Sequence, residues 1–581
     1  MLTANLRNIY RFWFSLAAVA LVAPASVGQA QDLANLGKQK PFTLSGTLDL
    51  RSIVYSYSGG LAPRRRPSAY ILNANPTLSI YGVAIPLNLV LSDQERSIRQ
   101  PFNQFGLSPT YKWLTLHLGY RNLTWSPFTL AGHTIYGAGA EITTSKLRFG
   151  FIKGRFNRAT TVDQSLGTVV PFGFDRSGYA ARVGVGNDTA SFDVSLVVAR
   201  DDSTSVPRSE RRTAGYAGSL VRAAENAVLG FNTRLGLGRR RYFFFTAAGG
   251  LSIYTREPNS RLTLGEGVRY LNSFGGPFIA VNGSSEVSTA WQASLGFRRY
   301  GQGFQLSYRR VSPGYQSMGA YYFQDDVSNL TLAPSLSLLQ GKVRVAGSFG
   351  LQQDNLRNQK QLTSRRFIAS LNGSVELGPY FGVDAGYSNF STDQQQAKAV
   401  VVRDTFRLAQ STQSLSVGPR FIYTGTRYGH SVLLSADRST LRALGNNAYD
   451  RGDEFTSLNA FASYQLTVLA ARLTLGATYS YTQLQLATGT DENRGLQLSA
   501  DQSLGKQQAF RLGLRASALT AERFGQPSTV LLGGARATLR LGRHNTLRAD
   551  VAHTRYDPNT VTLTAPRYAE TRGEFGYTFS F

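Results

Sequence analysis

The chain ends in Gly576-Tyr577-Thr578-Phe579-Ser580-Phe581, with no polar tail after the last aromatic residue. Tyr577, Phe579 and Phe581 fall on one face of a strand, because side chains alternate between the two faces with a period of two. In a soluble sheet such a strand would leave a sticky, unpaired edge. A closed barrel has no edge, and its outward aromatic side chains contact lipid. The ending therefore favours a membrane barrel over the last strand of a soluble β-sandwich.

Many other segments alternate in the same way. One face is apolar, and the other carries Gly, Ser, Thr, Gln and Arg, as in the ranges 291–298, 304–309, 471–481, 510–516 and 535–541. In a soluble sandwich the polar face would be the outer surface. In a large membrane barrel the polar face lines the lumen and the apolar face meets lipid. The segments run about 9 to 15 residues, which is long enough for a tilted strand to cross a bilayer.

The composition agrees with alternating membrane strands. Hydrophobic residues make up 42% of the chain, with 34 Phe, 29 Tyr and 58 Gly, yet only 17% of residues are charged. Soluble domains carry about a quarter charged residues. After residue 30 no run of 18 apolar residues occurs, so the sequence predicts no transmembrane helix. The fold class predicted is all-β, a large transmembrane antiparallel barrel.

The first residues read as a secretory signal peptide. Arg7 and Arg11 supply positive charge, residues 12–22 are apolar, and Gly28-Gln29-Ala30 offers small residues for cleavage. An uncleaved membrane anchor is the alternative. We predict a signal peptide over 1–30, a short periplasmic segment over 31–41 and a barrel over 42–581, which places the protein in the bacterial outer membrane.

Short and long connections take turns along the chain, as expected for a barrel with short periplasmic turns and longer outer loops. Long polar stretches include 92–109, 201–225, 256–286, 485–493 and 521–528. A first tally gives 25 strands, which would put the Thr144-Ser145 turn on the outside. If Asn122 makes a tight turn and Leu123 to Phe128 forms a strand, the total becomes 26 and both termini lie in the periplasm. We predict 26 strands, with 24 as the second choice.

The sequence predicts no cofactor, metal site or catalytic site. It contains no cysteine, which excludes disulfides, thiolate metal ligands and lipoprotein attachment. The five histidines show no metal-ligand spacing. His117 and His133 lie on strands of opposite direction and could face each other, but no neighbouring acid or nucleophile can be assigned. We therefore predict that the protein is not an enzyme.

Arginine placement is the best functional signal. The chain has 62 Lys and Arg against 35 Asp and Glu, a net charge of +27. Polar-face arginines cluster beside the short turns and predict a cationic belt in the periplasmic half of the lumen, which would favour anions. The alternative is structural, with these arginines paired to lumen acids such as Asp193, Glu376, Asp384 and Asp550. The candidate belt comprises Arg234, Arg298, Arg309, Arg344, Arg472, Arg511, Arg515, Arg540 and Arg548.

The positive charge has two other possible explanations. Nucleic-acid binding is the usual suspicion for such a charge, but the signal peptide argues against it and no nucleic-acid motif occurs. Arg64-Arg65-Arg66 lies in the first predicted outer loop. It could grip lipopolysaccharide phosphates, or it could be a solvated loop charge. The partners predicted are outer-membrane lipid and lipopolysaccharide.

The chain resembles large porin-like outer-membrane β-barrels of Gram-negative bacteria, in its alternating strands and in its ending. The terminal residues Tyr577, Phe579 and Phe581 resemble the C-terminal signal that the barrel-assembly machinery recognises. The chain is similar in size and ending to TonB-dependent receptors, but its strand pattern begins near Phe42, which leaves no room for their N-terminal plug. It is similar in strand number to the lipopolysaccharide-insertion barrel, whose periplasmic domain and cysteines it lacks.

Two functions follow from this resemblance. The first is a porin-like channel for small polar or anionic solutes. The second is a non-conducting structural barrel that docks a secretion or surface-lipoprotein partner. The sequence does not decide between them, nor does it fix the oligomeric state.

Replacing Phe579 and Phe581 by Ser tests the terminal signal. The change removes the aromatic face that assembly should read and that lipid should cover, leaving an unclosed barrel with an exposed strand edge. We expect the variant to accumulate in the periplasm and to be degraded, as followed by membrane fractionation. Heat-modifiable protein at normal levels in the outer membrane would contradict the prediction.

Overall fold

The computed structural model describes residues 41–60, 65–81, 83–93, 104–160, 173–187, 189–206, 222–238, 241–264, 270–320, 324–396, 408–443, 454–523, 525–561 and 566–581. The predicted signal peptide and Arg64 lie outside the described residues. One antiparallel sheet contains every strand segment of the described chain. The segments are β1 (Phe42–Ser45), β2 (Thr47–Gly59), β3 (Ser68–Ala74), β4 (Thr77–Ile80), β5 (Val83–Ser92), β6 (Gln104–Leu107), β7 (Thr110–Tyr111), β8 (Leu114–Thr124), β9 (Ala131–Thr143), β10 (Leu147–Asn157), β11 (Arg176–Gly186), β12 (Ala190–Asp201), β13 (Glu225–Leu237), β14 (Phe243–Thr255), β15 (Ser285–Arg299), β16 (Gln302–Val311), β17 (Val327–Leu338), β18 (Val343–Asp354), β19 (Leu362–Glu376), β20 (Phe381–Gln396), β21 (Leu408–Thr424), β22 (Tyr428–Ala443), β23 (Phe455–Val468), β24 (Leu473–Leu486), β25 (Gly489–Leu504), β26 (Phe510–Arg523), β27 (Gln526–Leu541), β28 (Asn545–Pro558) and β29 (Tyr568–Ser580).

These 29 segments form 26 strands, because three strands are interrupted. The pairs β1/β2, β3/β4 and β6/β7 are each one strand, broken at Gly46, at Asn75-Pro76 and at Ser108-Pro109. Proline breaks the ladder because it has no N–H to donate. The predicted fold class and the count of 26 are confirmed. The predicted tight turn at Asn122 is wrong, since Asn122 pairs with Thr134 inside β8. The strand missing from the first tally is β6/β7, which begins inside the stretch 92–109, predicted as a loop, and ends at Tyr111.

The first and last strands close the sheet into a barrel. Thirteen residues of β2 pair with β29, from Thr47 opposite Ser580 to Gly59 opposite Tyr568. The pairing continues past β2, because Gly46 and Phe581 exchange two backbone hydrogen bonds. A side chain at Gly46 would collide with the carbonyl of Asn75, and its φ of +138° favours glycine. Closure therefore satisfies the backbone groups of both outer strands.

The two ends of the barrel differ. Both described chain ends and the short connections, such as 144–146, 300–301 and 542–544, lie at one end, which we call the turn end. The longer connections lie at the other, the loop end, as the alternation of lengths predicted. Two of the predicted long loops are wrong: Leu486 pairs with Gly489, and Arg523 pairs with Gln526, so those connections are tight turns.

The outer face of the barrel is apolar, although its side chains are exposed. On β15 this face carries Trp291, Leu295 and Phe297, and Leu295 is 45% exposed. At the turn end its aromatic rings contact one another: Phe297 lies 4.9 Å from Phe243 and 5.9 Å from Phe304 between ring centres. An aromatic girdle beside an apolar band is typical of membrane barrels. The described residues contain no helix long and apolar enough to cross a membrane.

The described part of the connection 256–284 contains the short helix α1 (Tyr270–Gly275), and the residues after this helix pack against the outer face at the loop end. Ile279 is 2% exposed and contacts Val198, Ala227 and Ile253. The backbone N–H of Ala280 donates to Glu225 at 2.7 Å. A barrel of 26 strands is wide, and the sequence predicts that a long loop, either 201–225 or 256–286, folds inward to fill the lumen. The described residues of 256–286 show that this prediction is wrong for that loop. Most of the other candidate, 201–225, lies outside the described residues.

Single cysteines can test the orientation in the membrane, because the chain contains none. Ser58 and Asn272 are exposed at the loop end, and Ser145 and Arg543 are exposed at the turn end. With the turn end in the periplasm, we expect a membrane-impermeant maleimide to label cysteine at the first two positions in intact cells, and at the last two only after the outer membrane is opened. The reverse labelling pattern would show that the turn end faces the outside of the cell.

Candidate functional site: the lumen

Two connections at the loop end fold into the lumen and bind each other. We call residues 125–130 and 312–320 the inner loops. The Tyr315 hydroxyl donates to the Phe128 carbonyl at 2.5 Å, and the Ser317 hydroxyl donates to the Thr129 carbonyl at 2.6 Å. The first loop joins β8 to β9 and the second joins β16 to β17, so residues from two separate parts of the wall meet inside the barrel.

Polar side chains of the wall hold the second inner loop. Asn226 on β13 is fully buried; its amide nitrogen donates to Ser252 Oγ at 2.9 Å, and its amide oxygen accepts the backbone N–H of Met318 at 2.9 Å. Ser252 donates in turn to the Gln316 carbonyl at 2.6 Å. Removing one partner of such a buried set leaves the others unsatisfied, which costs about 1–3 kcal/mol.

Apolar packing fixes the same loops against the inner face. Phe128 and Tyr315 are 0% and 1% exposed, with their rings edge to face at 6.2 Å. They pack against a buried cluster on the wall that comprises Val228, Ala248, Ala290, Val311 and Val327. Gly250 is required beneath them, because a side chain there would collide with the Tyr315 hydroxyl. Burying each large side chain contributes about 1.5–3 kcal/mol, so these loops are a fixed part of the wall.

A polar network anchors the start of the first inner loop. Glu141 accepts from Trp125 Nε1 at 2.8 Å and from Arg182 at 3.3 Å, and its other oxygen lies 3.0 Å from His117 Nε2. Ser108 Oγ lies 2.9 Å from His117 Nδ1. The expectation that no acid could be assigned to His117 is wrong. His133 does not join the network; its Nδ1 contacts the Thr134 carbonyl, and its ring packs on Phe156.

The order Ser108, His117, Glu141 resembles a hydrolytic triad, but its surroundings do not suit that chemistry. Ser108 is 7% and His117 is 6% exposed, so a substrate has little access to the hydroxyl. Pro109 follows the serine and has no N–H that could stabilise an oxyanion. The contacts of Glu141 with Trp125 and Arg182 indicate that the network positions the inner loop.

The inner loops occupy one side of a wide lumen. They pack against the inner face around β13, which is the tenth of the 26 strands. The segment β26 is the twenty-third strand, so it lies half-way round the ring, on the opposite wall. On that opposite wall the inner-face side chains described, such as Arg511, Arg515 and Arg536, are exposed. The described residues thus leave space between the inner loops and the wall formed by β24 to β28.

That wall carries a group of arginines at the turn end. We call Arg472, Arg511, Arg536, Arg540 and Arg548 the arginine patch; together with Asp501 they line one concavity. Four of the five were predicted as belt residues, and Arg536, although on the same polar face, was missed. Within the described chain, no carboxylate forms an ion pair with Arg511, Arg540 or Arg548, and Arg511 instead donates to Gln508 at 2.9 Å.

The remaining belt candidates are placed differently. Arg234, Arg298 and Arg344 lie on the inner face near the turn end but on other parts of the wall. Arg515 lies 3.6 Å from Asp550. Arg309 does not lie beside a short turn: it sits at the loop end of β16, with its guanidinium 5.4 Å from the centre of the Phe128 ring. Sequence alone could not show this contact, because Phe128 comes from a distant loop.

Structural ion pairs are present as well, mostly on arginines outside the candidate belt. Arg148 binds Asp193 at 2.9 Å, Arg536 binds Asp550 at 2.9 Å, and Arg420 binds both Glu376 and Asp384. All four acids named from the sequence thus pair with arginine. These pairs neutralise parts of the wall and leave most of the arginine patch uncompensated. No group of three or more His, Asp or Glu residues in the described chain could hold a metal ion.

Comparisons with known proteins give only a general likeness. No protein-family model matches the chain, and no curated protein matches it by sequence. Among solved structures, the P pilus usher PapC translocation pore is 11% identical with a TM-score of 0.35, over 92% of this chain and 98% of the usher. The outer membrane protein opdK from Pseudomonas aeruginosa is 10% identical with a TM-score of 0.31, over 62% of this chain and 94% of its own. BauA, the ferric preacinetobactin receptor from Acinetobacter baumannii, is 12% identical with a TM-score of 0.35, over 92% and 80%.

Asn226→Ala tests how firmly the inner loops are held. The change leaves the buried backbone N–H of Met318 without its acceptor, while the Gln316 carbonyl keeps its bond from Ser252. We therefore expect the unfolding free energy to fall by about 1–3 kcal/mol. We also expect chymotrypsin to cut at Tyr315 in the folded barrel. Asn232→Ala, on the inner face of the same strand, is the matched control. It should neither lower the unfolding free energy by this amount nor allow cleavage at Tyr315. Equal protease resistance in both variants would contradict the assignment.

Proposed function

We propose that this protein is an outer-membrane channel for small polar and anionic solutes. The path runs between the inner loops and the opposite wall, and leaves the barrel past the arginine patch. The uncompensated charge of Arg511, Arg540 and Arg548 carries the proposal. Fixed positive charge on the wall of a pore attracts anions and repels cations.

Each part of the barrel has a role in this function. The apolar outer face and its aromatic girdle hold the barrel in the bilayer. Since a barrel of this size is too wide for side chains alone to fill, the inner loops narrow it. Small and hydroxylated residues on the inner face, such as Ser499 and Thr538, can exchange hydrogen bonds with water and passing solutes.

Ion selectivity tests the role of the patch. In planar bilayers under a salt gradient, we expect the reversal potential of the unmodified protein to show anion preference. Arg511→Ser combined with Arg540→Ser and Arg548→Ser should reduce that preference, whereas the corresponding triple Arg→Lys variant should keep it. The difference should shrink at 1 M salt, where the Debye length is about 3 Å.

Two outcomes would overturn the proposal. An unchanged reversal potential in the Arg→Ser variant would leave the patch without a role in selectivity. No conductance from folded, heat-modifiable protein would favour the non-conducting barrel that docks a partner.

A further inference from the structure

We propose that the outer face at the loop end binds a phosphate-bearing, acylated lipid of the outer leaflet, across β16 to β19. This inference concerns the surface facing the membrane and does not depend on conduction. Two rows of side chains carry it, one polar and basic, the other apolar. Each row is formed by residues of four neighbouring strands that strand register places side by side. It therefore cannot be recognised in the sequence of one strand.

The basic row lies nearer the loop end. Arg310 pairs with Ser328, Ser328 with Gln353, and Gln353 with Arg365, so the four side chains project side by side from adjacent strands. Both arginines are exposed. Strand spacing of 4.7–4.9 Å puts their backbones about 14 Å apart, and two long side chains can reach the phosphates of one lipid from that separation.

The apolar row lies directly below, two residues further from the loop end. Tyr308 pairs with Leu330, Leu330 with Leu351, and Leu351 with Phe367. A groove runs along this face, with the two leucines between the aromatic rings. Leu351 is 60% exposed and Phe367 is 41% exposed. The groove matches an acyl chain that descends from a headgroup held by the arginines.

Charge complementarity identifies the occupant as anionic. In the described chain, neither Arg310 nor Arg365 forms an ion pair. The acid opposite Arg365 in register is Asp393, whose carboxylate accepts from Gln395 at 2.7 Å. The indole of Trp291, opposite Arg310 in register, contacts the Tyr308 ring at 5.0 Å between ring centres. Tryptophan and tyrosine favour the membrane–water interface, so the basic row lies where lipid phosphates lie, and arginine binds phosphate bidentately.

The test measures lipid A bound to purified protein by native mass spectrometry, and the affinity of delipidated protein for added lipid A. We expect one lipid A to co-purify with the unmodified barrel. Arg310→Gln combined with Arg365→Gln should weaken binding by at least about tenfold, the loss expected for hydrogen bonds to a charged group. Ser328→Glu, which places a negative charge inside the row, should do the same.

Arg366→Gln is the matched control, because Arg366 is the next residue along β19, carries the same charge and faces the lumen. It should leave lipid binding unchanged. Lipid A without phosphate should bind as weakly to the unmodified barrel as lipid A does to the double variant. Equal lipid content in the double variant and the control, with both barrels heat-modifiable, would overturn the proposal. A loss as large in Arg366→Gln would also overturn it, since overall charge would then explain the binding.

Discussion

The closure of the sheet is the constraint on which the rest of this structure depends. Bilayer hydrocarbon offers no partner to a backbone N–H or C=O, so a strand can lie in it only if both of its edges are paired. Here the last pairing is made between strands at opposite ends of the chain, β2 and β29. Side chains reinforce this seam on the lumen side, where Thr578 donates to Asp49 at 2.8 Å and Tyr55 donates to Glu570 at 2.9 Å.

The size of the ring creates the need for the inner loops. A barrel's diameter grows roughly in proportion to its strand number, and large barrels leave an aqueous interior. This chain narrows its lumen on one side with two loop-end connections that bury Phe128, Leu130 and Tyr315 almost completely. The opposite wall keeps its polar side chains exposed. It carries the arginine patch, in which most arginines form no ion pair with a described carboxylate. The barrel is therefore asymmetric in both width and charge, and that asymmetry supports the proposed path for anionic solutes.

The outer face uses the same residue type for a different purpose. Arg310 and Arg309 are adjacent in sequence, yet strand alternation sends one to the membrane side and the other over the Phe128 ring in the lumen. Likewise, Arg365 faces the membrane side and Arg366 faces the lumen. A high arginine content thus serves two environments. Inside, arginines line the lumen and several bind carboxylates. Outside, according to the proposed lipid site, they bind lipid phosphates.

The sequence by itself determined the barrel and the face to which most side chains belong, because strand alternation is a local property. It also predicted the total of 26 strands from the alternation of connection lengths, although it assigned one strand to the wrong residues. The outward position of Phe579 and the alternation from Ala471 to Tyr481 can be predicted from each segment alone, without knowledge of the strand that pairs with it. The Asn122 turn was predicted wrongly, since a strand broken at Ser108-Pro109 looks like a loop in sequence. Only the tertiary structure decided that residues 125–130 and 312–320 meet in the lumen, that Glu141 joins His117 to Trp125, and that Arg309 leaves the predicted belt. These contacts join residues far apart in the chain, and their energy comes from close packing and buried hydrogen bonds, which no local pattern records.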